Sequence, residues 1–170
     1  MAVLLRVAVA AMALVLFPVS VSAQDTAIAF GTLAHDSGLP VEITAEALDV
    51  DQEDGTATFR GGVLVGQGEM RLSADRVLVV YGETPEGARA RIARLEASGN
   101  VLMTLGAEAA EAQNAVYTID RAKVVMTGDV LLTQGDSAIA GQRLEVDLGR
   151  GTGAMSGRVR TVFQPEGRAD

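Results

Sequence analysis

Side chains able to do chemistry are few in this 170-residue chain, and their spacing suits no reaction. There is no cysteine, which excludes a thiolate nucleophile, a thiolate metal site and any disulfide. The single histidine, His35, stands in the run His35-Asp36-Ser37, which has the residue types of a nucleophilic triad. Such triads are assembled from separated positions, because adjacent loop residues point in different directions. The run reads as a solvent-exposed loop. Asp49, Asp51, Glu53 and Asp54 precede Gly55 and have the outline of a calcium loop. The glycine position of such a loop is here Asp54 and its bidentate twelfth position is Arg60, so a solvated face ending in a tight turn fits better. Gly149-Arg150-Gly151-Thr152-Gly153 is glycine-rich but lacks the Lys-Ser/Thr ending of a phosphate-binding loop and opens no helix, so it reads as a hairpin connection. Arg89, Arg91 and Arg94 are the only basic run, suited to anionic head groups or to an ordinary charged edge. The reading is of a non-enzyme without metal or cofactor.

Composition narrows the partners. The net charge is −8 and Lys123 is the only lysine, which excludes a nucleic-acid surface. The chain begins with Arg6, an apolar run from Val7 to Phe17, a break at Pro18 and a small-residue ending at Val21-Ser22-Ala23. That is the layout of a secretory signal peptide over 1–23, cleaved before Gln24, and it places the mature chain in the periplasm. The apolar run is short for a membrane span. Removing 23 of 170 residues leaves 147, a single-domain length that can bury a core. Residues 24–39 are polar and read as a flexible segment, 40–164 as the domain and 165–170 as a tail.

The domain repeats itself. Ala45 to Val50 returns as Ala74 to Val79, Ala112 to Tyr117 and Gly141 to Val146, at steps of 29, 38 and 29 residues. A second element, Gly-x-Val, occurs at Gly61, Gly99, Gly128 and Gly157, at steps of 38, 29 and 29. One insertion of about nine residues within Glu83–Arg91 accounts for both long steps. Within each unit apolar residues alternate with polar ones, as in Ala57, Phe59, Val63 and Val65 against Thr56, Thr58 and Arg60. The parity then switches: Met70, Leu72 and Ala74 are even, Val77, Val79 and Tyr81 odd. A switch within a strand means a bulge or corner, and Gly61, Gly128 and Gly157 mark sharp bends. Asp54-Gly55 and Gly135-Asp136 are hairpin turns. Ala107 to Gln113 could make a turn of helix, but its register matches a strand of the other copies.

The expected fold is therefore all-β: an antiparallel sheet of roughly 29-residue units that bends over on itself. Its inward face carries Leu48, Val50, Phe59, Val63, Val65, Val77, Val79, Val101, Met103, Val130, Leu132, Leu144 and Val146. Burial favours a dry core and an acyl-filled groove alike, at about 0.8 kcal/mol per CH₂ removed from water.

Val41 to Val50, Gly55 to Gly68, Leu95 to Val101, Met126 to Gly135 and Arg158 to Phe163 together resemble the LptA (OstA-like) family of lipopolysaccharide-transport proteins, over about residues 40–163. The resemblance implies a β-jellyroll, or β-taco, whose apolar groove of the residues above holds the acyl chains of lipopolysaccharide (LPS) on the way from the inner to the outer membrane. It implies an LptC-like partner at the N-terminal edge, around Ile43 to Val50. An LptD-like partner or another copy would meet Val159 to Phe163, since edge strands accept added strands. An LptC-like anchored component and a structural β-solenoid with a dry core are the alternatives.

Overall fold

The structure is a computed structural model and describes residues 26–29, 35–82 and 91–162. The signal-peptide region, the centre of the insertion with Arg89, and the tail lie outside the described residues. Among the described residues eleven strands form one antiparallel sheet: β1 (Thr26–Ala29), β2 (Glu42–Thr44), β3 (Ala47–Asp51), β4 (Thr56–Gln67), β5 (Met70–Tyr81), β6 (Ile92–Leu105), β7 (Glu108–Thr118), β8 (Lys123–Gln134), β9 (Ser137–Asp147), β10 (Thr152–Ser156) and β11 (Arg160–Val162). From β4 to β10 every strand pairs with its neighbours in sequence. Ala107 to Gln113 is strand, mostly within β7, as its repeat register required.

Two-residue turns join β4 to β5, β6 to β7 and β8 to β9, at Gly68, Gly106 and Gly135. Each has its glycine at positive φ and a following residue that is not, the pattern of a type II′ hairpin turn. These are the glycines five residues after the valine of the first three Gly-x-Val elements.

The second repeat series forms the corners. Gly61, Gly99, Gly128 and Gly157 have φ of 81, 78, 86 and 80°, and each is followed by a second residue near 50°: Gly62, Asn100, Asp129 and Arg158. Two successive left-handed residues on one strand face a single residue on the next, so the register slips and the inward set changes parity on the strands that supply the single residue, β5, β7 and β9. The facing residue comes from the first repeat series. Glu46, Asp75, Gln113 and Gln142 lie directly over Gly61, Gly99, Gly128 and Gly157, where no Cβ fits. The two interleaved repeats are thus the two sides of one corner. The corner divides every long strand into a first limb (for β4, residues 56–60) and a second limb (63–67), folded face to face.

At each end of the sheet the last strand is broken at the corner. β3 and β2 flank the first and second limbs of β4, and β10 and β11 flank those of β9. Thr26–Ala29, expected within a flexible segment, is instead β1, paired antiparallel with β10 and with Ile28 buried. Its four residues carry too little pattern to announce a strand whose partner is more than 120 positions away.

Candidate functional site

The inward faces of the two limbs enclose one aliphatic interior. Of the residues placed there by parity, Val63, Val65, Val77, Val79, Val101, Met103, Val130, Leu132, Leu144 and Val146 are all buried, and Phe59 is partly buried against them. Leu72, Leu95, Met126 and Met155 fill the space between. Each such side chain removed from water contributes about 1.5–3 kcal/mol. Open cavities of about 320 and 340 Å³ lie on the outside of the sheet, beside Leu64 and Arg71 and beside Asn100 and Asp129. The interior itself is packed.

Leu48 and Val50 differ from the other nominated residues. They pair with Phe59 and Ala57 and so belong to the inward face, yet they are 53% and 62% exposed. The reason is position: β3 is the outermost strand of the first limb, and no further strand covers it among the described residues. The interior is therefore open at its N-terminal end, where an aliphatic surface faces out beside the unpaired edges of β2 and β3.

Alternation also reaches a residue that the apolar pattern passed over. Gln67 continues the inward series of Val63 and Val65 at the tip of the second limb, and it is buried, with 1% exposure. Tyr117, on the first limb of β7, is equally buried. Its hydroxyl donates to Gln67 Oε1 at 2.7 Å, a bond that crosses from one limb to the other between strands that are not neighbours. Gln67 Nε2 donates to the carbonyls of Ser37 and Leu39, at 2.9 Å each. His35 Nε2 stands 3.1 Å from both Gln67 Oε1 and Tyr117 Oη, with its ring edge-on to the phenol. Burial pushes the Tyr117 hydroxyl up to about 12, so it stays a protonated donor at neutral pH. His35 is therefore not the solvent-exposed loop residue expected from sequence. It is half-buried, because the chain from His35 to Leu39 lies against the mouth between the limbs.

The other chemical motifs take structural roles. Asp51 accepts from the amides of Glu53 and Asp54, an Asx-type turn, and Asp49 pairs with Arg60 at 2.6 Å. Gly149 to Gly151 connect β9 to β10, with the Arg150 amide held by Asp147. Arg94 is bonded to Glu96 on its own strand. Among the described residues no three potential metal-binding side chains gather.

Residues 42–152 match the model of the family described as LptA/(LptD N-terminal domain) LPS transport protein. An uncharacterised protein of Rhizobium meliloti strain 1021 is 28% identical over 153 residues, covering 86% of this chain and 82% of that one. The lipopolysaccharide export system protein LptH of Pseudomonas aeruginosa is also 28% identical, over 151 residues, covering 81% and 86%. The crystal structure of LptH, the LptA-homologous periplasmic component of the lipopolysaccharide transport device of that organism, shares the fold with a TM-score of 0.68 at 18% identity, over 77% of this chain and 99% of that one. The chain belongs to the LptA/(LptD N-terminal domain) family of LPS transport proteins.

Proposed function

We propose that this protein is a periplasmic carrier that moves LPS from the inner towards the outer membrane, holding acyl chains between the two limbs of its bent sheet. The observation that carries the reading is the interior itself: a single aliphatic space, lined by Val65, Val79, Met103 and Leu132 and open at Leu48 and Val50, in a member of an LPS transport family. An acyl chain entering such a space gains about 0.8 kcal/mol per methylene and loses no polar contact along the walls. Because its own side chains fill the interior, the limbs part to admit the chain. The signal peptide over 1–23 supplies export.

The edges give the carrier its neighbours. β2 and β3 present unpaired backbone and exposed aliphatic side chains, the surface on which an LptC-like inner-membrane component would add a strand. At the other end β11 offers an edge on the second limb to an LptD-like component or a further copy. On the first limb β1 already covers β10, so a partner there pairs with β1 or displaces it.

Photo-crosslinking residues at Val65, Val79 or Met103 should yield LPS adducts in cells, and the outward positions Thr58 and Arg76 should not. Labelling at Thr58 without labelling at Val65 would overturn the groove.

A further inference from the structure

Between the two limbs lies one polar cluster, and it stands at the mouth. We propose that Gln67, Tyr117 and His35 are a latch over the entry for acyl chains, fastened by the backbone of residues 37–39; this rests on the carrier reading above. Three observations support it. First, the Tyr117–Gln67 bond ties the first limb to the second at the tips farthest from the corner, where separation of the limbs would begin. Second, the cluster is complete: Gln67 uses both amide hydrogens and its carbonyl, and no buried side-chain polar atom lacks a partner among the described residues. Third, the chain that closes it comes from outside the repeat. His35 to Leu39 lie across the tip of β4, and the earlier residues of the same segment pair with β10 at the opposite end of the sheet.

A dry core needs no such arrangement. Phenylalanine and leucine at 117 and 67 would fill the same space without the cost of burying a hydroxyl and an amide. Polar partners have a different property: when the limbs part, water replaces each bond, so the opened mouth leaves nothing unsatisfied. Their net strength is modest, and the closed state is therefore favoured without being locked. Entry of a lipid then depends on the fraction of molecules in which Tyr117 has left Gln67, and apparent affinity scales with that fraction.

The test uses Tyr117→Phe, which removes one oxygen and keeps the ring, and His35→Ala, which loosens the strap without touching the interior. Purified rough LPS with a fluorescent label on its sugar is the probe, and spin labels at the exposed tips Glu69 and Asp120 report the width of the mouth. Both variants should widen or broaden the distance distribution before lipid is added. Both should bind LPS about tenfold more tightly and faster than the parent, as expected from the loss of one hydrogen bond holding the closed state. Equal binding by the parent and both variants would overturn the latch and leave the carrier reading intact. An unchanged distance distribution in both variants would also overturn it. A mouth that widens in variants that, like the parent, take up no LPS would overturn the carrier reading, and the assignment of the latch to acyl chains with it.

Discussion

Replacing Gly128 with alanine should destabilise the protein by about 1–2.5 kcal/mol net, and the loss can be divided into two causes. Gly128 has a φ of +86°, where an L-residue is disfavoured by roughly 1–2 kcal/mol. The added Cβ would also stand 2.9 Å from the Cβ of Gln113 and 3.0 Å from its Cδ, against an optimum of about 3.5–4.0 Å. A Cβ cannot swing aside as a side-chain end can, so β7 and β8 must shift apart at the corner, at about 1 kcal/mol or more. Alanine restricts the unfolded chain and returns about 0.4–1 kcal/mol of this. In a domain of this length the net loss lowers Tm by roughly 4–8 °C. Gly66→Ala is the internal control. Gly66 lies in β4 outside the corner, without positive φ, and the nearest atoms to its new Cβ belong to the Arg71 side chain at 3.7 Å. It should be neutral or stabilising by up to about 1 kcal/mol. Adding Gln113→Gly to Gly128→Ala removes the contact and keeps the backbone strain, so a double-mutant cycle should show a coupling of about 1 kcal/mol. Urea midpoints of the single and double variants measure all of these. If Gly128→Ala cost no more than Gly66→Ala, the explanation of the corners would be wrong; a full loss with no coupling to Gln113 would leave backbone strain as the whole cause.

Two further expectations follow from the same geometry. The Tyr117 hydroxyl is raised from 10.0 to about 12 in the folded state, so the unfolded chain ionises first: stability is intact below pH 10 and falls by about 2–3 kcal/mol as pH rises towards 12. Equilibrium unfolding of the parent and of Tyr117→Phe over that range should show the fall only in the parent, and parallel curves would refute it. Ile28→Asp should detach β1 from β10 and expose that edge, raising self-association in sedimentation experiments, whereas a sedimentation profile identical to the parent's would mean that β1 does not mask a pairing surface.

Much of this architecture is legible in the sequence because it is local. Alternation assigns Val63, Val65, Val77 and Val79 to one face, the even-to-odd switch in β5 locates the irregularity between Ser73 and Arg76, and Gly61 marks the one between Arg60 and Val63. The repeats also contain the corner contacts, although it takes coordinates to show that residue 113 of one series rests on residue 128 of the other. Leu48 and Val50 mark where the argument weakens. Parity assigns a side chain to a face, but exposure depends on whether another strand follows, and at a sheet end none does. The latch was hidden for a different reason. Gln67 obeys the alternation and Tyr117 occupies the inward position of its repeat, so both could have been found by extending the stripe irrespective of polarity. His35 and β1 could not, since their partners are set by the closing of the limbs rather than by any neighbouring residue.

The pairing of β1 with β10 also fixes an order of events in folding. Strands β4 to β10 each join their sequence neighbour, and all but the β5–β6 link, which carries the insertion, do so through two to four residues, so most of the sheet can zip from hairpin to hairpin with little loop entropy to overcome. β1 is the exception. It is the first of the described strands along the chain, and its partner, at residues 152–155, is the last but one. Until residues 152–155 have folded back, the N-terminal segment has no β10 to join, and the edge of β9 beside them stays unprotected. Capping of that edge is thus a late step in building the sheet, and a chain truncated before Thr152 would leave β1 without its partner.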